Sequence, residues 1–361
     1  MKKIFDPVPL GNLLLKNRLI RGATLENGGA ENHVITPLLQ AMHQSLAEGG
    51  VGLIITGMMG VTYNSCVHGT MVRIDDDSFV VKFRESVAAV HERNCKIVVQ
   101  LGHCGAKAMV IDEGDAPYAP SAITLPNNPR PAIAMSKQQI QALIAAYGDA
   151  AAKCKEAGAD GVEIHGAHGY LISEFLSPYF NKRDDEYGGA IENRARLLFE
   201  VYDEIRLKVG LDYPILLKIN GSDLVKECST DEEIIWVCNA LEKRNIDGIE
   251  ISGGISVSPA SASTRTGEKK EGFFAENALR LASNLTIPVI SVGGYRTPEG
   301  VLEFLNKGNL AAISISRPLI LDPALPRKWQ NGENTRSACV SCNQCFLTMP
   351  LGCKVAQSKN K

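Results

Sequence analysis

Apolar, strand-like runs alternate with longer amphipathic stretches along most of this chain of 361 residues. The strand candidates are Arg18–Ala23, Gly52–Thr56, Lys96–Leu101, Gly161–His165, Pro214–Ile219, Gly248–Ser252, Pro288–Val292 and Ala311–Ser316. The helix candidates include Pro37–Glu48, Ser78–Arg93, Ser136–Ala157, Ala190–Val209, Thr230–Arg244 and Thr297–Lys307. Strands rich in isoleucine and valine, each followed by a helix, are typical of a parallel sheet covered on both faces. Eight such repeats predict an α/β fold, a closed (β/α)8 TIM barrel.

The alternation continues without a Pro/Gly/Ser linker, so we predict one barrel at residues 1–330 and a short cysteine-rich tail at 331–361. Helix-start signals support the assignment at Ser136 and at Thr230. Two connections, Gly102–Met135 and Gly253–Gly272, are too long to be simple turns. Long loops on the catalytic face of a barrel usually shape a site, although disorder is the alternative for the second loop.

Charge and hydropathy exclude several classes of protein. The net charge of −2 gives no sign of nucleic-acid or membrane-surface binding. No apolar stretch approaches the length of a membrane span, and the first residues, MKKIFDPVPLGN, lack the apolar core of a signal peptide. We therefore expect a cytoplasmic enzyme that acts on a small molecule.

Titratable residues collect where the fourth predicted strand ends. His165, His168 and Tyr170 follow the apolar run Gly161–Ile164 within a few residues. One histidine at such a place is often a hydrogen-bonded structural residue, but two histidines with a tyrosine indicate a catalytic site.

Small or polar residues also end the other predicted strands. Glycines after strand seven, with a serine and an arginine after strand eight, match the phosphate-binding corner of many barrels, although a pair of glycines is also a simple turn. A buried amide and a buried cation, on strands three and five, suit a planar ring that accepts electrons and hydrogen bonds. The residues concerned are Gly293, Gly294, Ser316 and Arg317 for the corner, and Gln100 and Lys218 for the ring.

Neither the GxGxxG fingerprint after a strand nor the GxxxxGK[ST] motif occurs. A Rossmann domain or a P-loop is therefore not expected. The pattern favours a phosphorylated cofactor lying across the mouth of the barrel.

Two segments resemble the signature of the old yellow enzyme family of FMN-dependent oxidoreductases: HGAHGYL at 165–171 and LSPYFNKRDDEYGGAIENRAR at 176–196. FDPVPLGNLLLKNRLI near the start, VQLGHCG after strand three and SISRPLILDP before the tail are similar to that family in order and spacing. The resemblance covers roughly residues 1–330. It implies a barrel that binds FMN, takes electrons from NADH or NADPH, and reduces activated carbon–carbon double bonds.

The resemblance also implies roles for individual residues. His165 and His168 correspond to the pair that hydrogen-bonds the carbonyl oxygen of the substrate over the flavin, and Tyr170 corresponds to the proton donor. The flavin-binding positions correspond to Ala23, Thr24, Gly57, Gln100, Lys218, Gly293, Gly294, Ser316 and Arg317, with His165 also beside the flavin. Two positions differ from many members: Thr24-Leu25-Glu26-Asn27 stands where a cysteine and a tyrosine are common, and Ala106 where an arginine is common.

Four of the ten cysteines lie close together in the tail, with the spacing CxxCxxC-x7-C: Cys339, Cys342, Cys345 and Cys353. Four thiolates in a short segment suit an iron–sulfur cluster or a structural zinc, or they are unligated thiols. The segment resembles the branch of the family that contains trimethylamine dehydrogenase and 2,4-dienoyl-CoA reductase, in which a [4Fe–4S] cluster lies beside the FMN.

The leading hypothesis is an ene-reductase whose partner is an enone-type small molecule. The alternative is an iron–sulfur flavoprotein, a dehydrogenase or dienoyl reductase that passes electrons through the Cys-ligated cluster, for which an external electron carrier is a possible partner. Two further hypotheses remain. One is a flavin-free phosphosugar aldolase or isomerase with Lys218 as a Schiff-base lysine, and the other is a non-catalytic binding protein. The sequence leaves open whether the chain forms a homo-oligomer.

Overall fold

A computed structural model of the chain describes residues 1–26, 28–29, 33–67, 69–109, 115–126, 128–255, 257–258, 270–348 and 351–359. Its centre is a ring of parallel strands: β1 (Leu19–Arg21), β2 (Leu53–Ile55), β3 (Lys96–Gly102), β4 (Gly161–Gly166), β5 (Ile215–Asn220), β6 (Gly248–Ser252), β7 (Val289–Val292) and β8 (Leu310–Ile315). Each strand pairs with the next one in the chain, and β8 pairs with β1, so the sheet closes. The predicted (β/α)8 barrel is confirmed.

A helix follows each strand: α1 (Pro37–Glu48), α2 (Phe79–His91), α3 (Lys137–Glu156), α4 (Arg196–Val209), α5 (Asp231–Glu242), α6 (Ala275–Ala282), α7 (Pro298–Lys307) and α8 (Leu325–Gln330). Shorter helices are Leu171–Leu176, Ile191–Arg194, Arg317–Leu321 and Lys354–Lys359, with 3-10 turns at Tyr63–Ser65, Gly105–Lys107 and Gln344–Leu347. The N-cap predictions hold, because the hydroxyls of Ser136 and Thr230 accept hydrogen bonds from the third residue of their helices. The predicted helix at 190–209 is in fact two helices, which meet at Ala195.

Two further elements were not predicted. An antiparallel hairpin, Val8–Leu10 with Leu13–Leu15, precedes β1, and its buried side chains pack with apolar side chains in the barrel interior, whereas Leu14 is exposed. A small three-stranded sheet, formed by Tyr118–Ala119, Ile123–Leu125 and Asn128–Ala134, lies within the long connection after β3. Most of the second long connection, residues 256 and 259–269, is outside the described residues.

The packing leaves one end of the barrel polar. A large apolar cluster fills the space between strands and helices, and a smaller one fills the barrel interior next to the hairpin. Polar side chains follow above this smaller cluster, towards the C-terminal ends of the strands, where barrels carry their active sites. In the part of the chain that the structure describes, no helix combines the length and the apolar character needed to span a membrane.

Candidate active site

A cavity of about 360 Å³ opens at the C-terminal ends of the strands, a size usual for small-molecule sites. Of the predicted catalytic and flavin-binding residues, eleven line it: Ala23, Thr24, Gln100, His165, His168, Tyr170, Lys218, Gly293, Gly294, Ser316 and Arg317. Gly57 lines a smaller adjoining pocket instead, and a Cβ atom built on it would lie 2.7 Å from the carbonyl oxygen of Thr24. The fold thus gathers the eleven residues from six different strand ends at one place.

The two histidines lie on a tight turn after β4. His165 Nδ1 accepts a hydrogen bond of 3.3 Å from the N–H of Ala167, which leaves the ring proton on Nε2. His168 has left-handed backbone (φ 64°), its N–H donates to Asn220 Oδ1 at 3.1 Å, and its Nε2 lies 2.6 Å from the hydroxyl of Ser252. The ring centroids of the two histidines are 5.2 Å apart.

Both imidazoles are neutral in this environment. Burial lowers the pKa of His165 and of His168 well below the ordinary value, and the positive charges of Lys218 and Lys107 lower both further. A neutral imidazole keeps one N–H, so each ring can donate a hydrogen bond without giving up its proton. The pair therefore suits the stabilisation of an oxygen that gains negative charge.

Tyr170 stands beside this pair, just before the short helix Leu171–Leu176. Its ring makes an edge-on contact with the His165 ring, with centroids 4.9 Å apart. Burial raises the pKa of Tyr170 above its ordinary value, so the phenol keeps its proton at neutral pH. A protonated phenol at the cavity wall is a competent proton donor.

A layer of buried polar side chains forms the floor of the cavity. Gln100 Nε2 donates to Glu163 Oε2 at 2.5 Å, and Lys218 Nζ lies 3.9 Å from the same Glu163 oxygen and 3.4 Å from Glu250 Oε1. Sequence reasoning missed Glu163 and Glu250 as site residues. A signal for both exists, since each comes two residues before a polar strand-end residue and therefore faces the same side of its strand.

The floor carries more carboxylates than cations. Glu163 and Glu250 are both fully buried, and Lys218 is the lysine between them. Burial raises the pKa of Glu163 to about 8, Lys218 opposes the shift and Glu250 adds to it. Glu163 Oε1 and both oxygens of Glu250 accept no hydrogen bond from the described residues.

Two arginines connect the predicted phosphate corner to the tail. Arg317 Nη1 donates to Asn343 Oδ1 at 2.5 Å. Arg296 Nε donates to the carbonyl oxygen of Cys339 at 3.0 Å, and its Nη2 donates to Ser341 Oγ. Ser341 and Phe346 of the tail also line the cavity, and no sequence pattern predicted this.

Three of the four predicted metal ligands are near this corner. The thiols of Cys339, Cys342 and Cys345 are close enough to raise the pKa of Arg317, which burial lowers. Among the described residues, however, no group of three or more His, Cys, Asp or Glu side chains is arranged to hold a metal ion. The cluster therefore stays a prediction, for Cys353 as for the other three.

The cavity fits a flavin on its own chemistry. The buried Ser314 hydroxyl lines it and has no hydrogen-bond partner among the described residues. Gly22 lies directly against this hydroxyl, because a Cβ atom there would lie 2.3 Å from Ser314 Oγ, so a side chain at position 22 would displace it. Amide, ammonium, imidazole, guanidinium, hydroxyl and backbone groups thus face a cavity that apolar side chains also line, as a polar ring with a phosphorylated chain requires.

Sequence comparison finds relatives of two lengths. A metal reductase of Desulforamulus reducens is 33% identical over 361 residues, which cover 98% of this chain and 53% of the relative. An NADPH dehydrogenase of Bacillus subtilis is 33% identical over 335 residues, which cover 92% of this chain and 96% of the relative. The chain thus spans about half of the longer protein and nearly all of the shorter one.

Structure comparison leads to the same group of proteins. A 2-naphthoyl-CoA reductase in complex with 2-naphthoyl-CoA superposes with a TM-score of 0.92 and 28% identity, over 97% of this chain and 56% of that protein. The sequence model of the NADH:flavin oxidoreductase / NADH oxidase family matches residues 3–336. The resemblance to old yellow enzymes is confirmed, and the chain belongs to the NADH:flavin oxidoreductase / NADH oxidase family.

Proposed function

We propose that this chain is an NAD(P)H-dependent flavin oxidoreductase that binds FMN in the barrel mouth and reduces the C=C bond of α,β-unsaturated carbonyl compounds. The observation that carries the proposal is the group formed by two neutral histidines and a protonated tyrosine at the cavity wall. Reduction of such a substrate needs hydrogen-bond donors for one oxygen and a proton for one carbon. This group supplies both.

The histidines and the tyrosine have different roles in the proposed reaction. His165 Nε2–H and the His168 ring donate hydrogen bonds to the carbonyl oxygen, whose negative charge grows as the β-carbon receives hydride. Removing one such donor typically costs about 3 kcal/mol of transition-state stabilisation. The Tyr170 hydroxyl then delivers a proton to the α-carbon.

The remaining predicted residues would hold the cofactor. Gln100 and Lys218 would hydrogen-bond the ring, and the backbone of Ala23 and Thr24, against which Gly57 packs, would line the same part of the site. The phosphate is assigned to Gly293, Gly294, Ser316 and Arg317. FMN, when bound there, supplies the hydride chemistry, while the protein supplies position and electrostatics.

We propose that either NADH or NADPH is the reductant. The relatives include an NADH oxidase of Thermoanaerobacter brockii and an NADPH dehydrogenase of Bacillus subtilis, and each is 33% identical to this chain. Anaerobic titration of the holoenzyme with each nucleotide would distinguish them by the rate at which the flavin absorbance bleaches.

The test of the proposal is an absorbance experiment on the purified protein. We expect bound FMN, its bleaching by NADH or NADPH, its reoxidation by an enone, and a long-wavelength band when a phenol binds over the oxidised flavin. The double variant His165→Ala/His168→Ala should lose the phenol band and keep the flavin. His91→Ala, which removes a partly exposed histidine of α2, is the control and should keep both. A phenol band that survives in the double variant would refute the oxyanion-site assignment.

A second candidate function is supported by the tail. The thiols of Cys339, Cys342 and Cys345 lie around Arg317 at the edge of the cavity, where a [4Fe–4S] cluster would be close to the flavin. Electrons would then reach the flavin from an external carrier. Iron and sulfide analysis of anaerobically purified protein tests whether the cluster is present. Stoichiometric iron and sulfide would support this candidate, and a protein without iron would contradict it.

The other readings of the sequence are not supported. Family membership contradicts a flavin-free phosphosugar enzyme. Lys218 is also a poor Schiff-base lysine, because its Nζ lies within 4 Å of Glu163 and Glu250 and not in the apolar surroundings that activate such a lysine. The same family membership makes a non-catalytic binding protein the wrong class.

A further inference from the structure

Lys107 places a positive charge at the cavity wall that the proposed reaction does not use. It ends the 3-10 turn Gly105–Lys107 after β3 and lines the cavity. Its Nζ donates to the carbonyl oxygen of His168 at 2.6 Å and lies 4.4 Å from the centroid of the Tyr170 ring. The ammonium group therefore touches the same loop that carries the two histidines and the tyrosine.

These contacts hold the charge without neutralising it. A carbonyl oxygen and an aromatic face are weak partners for a cation, and an ammonium group has three protons, of which the carbonyl takes one. Within the described residues, no carboxylate oxygen lies within 4 Å of Lys107 Nζ. Glu174 is the acidic group that acts on Lys107 electrostatically, yet its oxygens accept from the backbone N–H of Ala106, at 3.0 and 3.3 Å.

The other lysine in the cavity differs in this respect. Lys218 lies between the carboxylates of Glu163 and Glu250, within 4 Å of both. Lys107 is thus a cavity-lining ammonium group with hydrogen-bonding capacity left for a ligand.

We propose that Lys107 binds a carboxylate of the substrate, so that the preferred substrates are α,β-unsaturated carbonyl compounds with a second, anionic group a few bonds from the carbonyl. The inference rests on the proposed function, because it takes the His165/His168 pair as the carbonyl site. The Tyr170 ring contacts both the His165 ring and the ammonium group. One small molecule can therefore reach both.

The local electrostatics strengthen such a contact. Charge-assisted hydrogen bonds are about twice as strong as neutral ones, and a poorly hydrated cavity increases the attraction further. Burial lowers the pKa of Lys107 to about 8, with Glu174 and Cys104 opposing the shift. The ammonium form thus prevails at neutral pH and is lost as the pH rises through about 8. Affinity for a carboxylate should fall over the same range.

A purely structural role is the competing explanation. In that case Lys107 would serve only to hold the His168 turn through the 2.6 Å hydrogen bond. Its loss would then weaken neutral and anionic ligands equally. The two explanations differ in this selectivity, which the experiment measures.

The experiment compares ligands of the same shape and different charge on the FMN-loaded enzyme. The probes are 3- and 4-hydroxybenzoate, each paired with its hydroxybenzamide, and binding is followed by the long-wavelength flavin band. In the wild type we expect at least one acid to bind more tightly than its amide. Lys107→Met should lower that preference by about tenfold or more and leave the amide unchanged, while Lys107→Arg should restore the preference. Lys153→Met, on α3 and outside the cavity, is the control and should behave like the wild type.

Different results would contradict the inference about Lys107 and the proposed function. Equal weakening of acid and amide in Lys107→Met, or an acid preference that is absent in the wild type or survives in the variant, overturns the inference alone. A wild-type protein that holds no flavin, or that gives no band with either amide, overturns the proposed function.

Discussion

Lys218 Nζ lies 3.4 Å from Glu250 Oε1 in the floor of the cavity, with both side chains buried. Lys218 is on β5 and Glu250 on the neighbouring β6, directly opposite in the register of the sheet. Glu163 approaches the same nitrogen from β4, on the other side. One cation therefore lies between two buried carboxyl groups, and neither of these has another ion-pair partner among the described residues. Both the stability of the barrel and the environment of the cofactor ring depend on this lysine.

Replacing Lys218 by methionine should destabilise the fold. The change leaves two buried carboxyl groups without a cation, and breaking a buried ion pair in this way costs about 3–5 kcal/mol. Urea unfolding of the apoprotein measures the loss. The double variant Lys218→Met/Glu250→Gln removes one of the stranded carboxylates and should recover a clear part of it. If the single and double variants are equally unstable, the ion pair is not the cause.

Replacing Tyr170 by phenylalanine should separate the two halves of the reaction. The phenol is the proposed proton donor, and general acid catalysis of this kind contributes about 10²–10⁴-fold to the rate. Flavin bleaching by NAD(P)H should keep its rate, while reoxidation by an enone should slow by that factor. Stopped-flow absorbance follows both steps. Unchanged reoxidation by the enone would reject the role given to Tyr170.

The sequence predicted the parts of the molecule that depend on local pattern. The barrel strands match within a few residues because each is a short apolar run bounded by polar or small residues, and α1 matches from Pro37 to Glu48. His165, His168 and Tyr170 were visible because they are adjacent in the chain. Each of these features is encoded in a short, continuous segment of the chain.

Features that depend on tertiary packing were not predicted from the sequence. Glu250 reads as an ordinary polar residue in an apolar strand, and only closure of the barrel places it against Lys218. Arg296 follows the glycines of the phosphate corner, yet its contacts are with Cys339 and Ser341, more than forty residues later. Lys107 gains its place in the cavity from the fold of the turn, which no periodicity in the sequence describes.

Replacing Gly294 by alanine should reduce flavin binding. Its φ is 76°, and an added Cβ would lie 2.5 Å from the Phe273 ring, so the corner must distort to accept the methyl group. Gly332→Ala is a matched control, because φ there is 84° but an added Cβ meets no atom within 4 Å. We expect a lower FMN content per protein for the first variant and a wild-type content for the second. Equal FMN content in the two would show that Gly294 does not shape the phosphate corner.

Glu163 should make the stability of the apoprotein fall as the pH rises. Burial raises its pKa from the ordinary 4.5 to about 8, so the folded chain keeps a proton that the unfolded chain has lost between these values. The unfolded state is then favoured by deprotonation, and the free energy of unfolding decreases across this window.

The variant Glu163→Gln tests this effect. It keeps the acceptor oxygen for Gln100 and the ion pair between Lys218 and Glu250, and its side chain has no proton to release. Urea unfolding at a series of pH values between about 5 and 8 should give a less negative slope of unfolding free energy against pH in this variant than in the wild type. The difference between the two slopes isolates Glu163, because Glu174, whose pKa burial raises to about 8, and His165 and His168, whose pKa burial lowers, are unchanged in the variant. Identical slopes in the wild type and in Glu163→Gln would mean that Glu163 is ionised throughout this range, with Lys218 as its counter-ion.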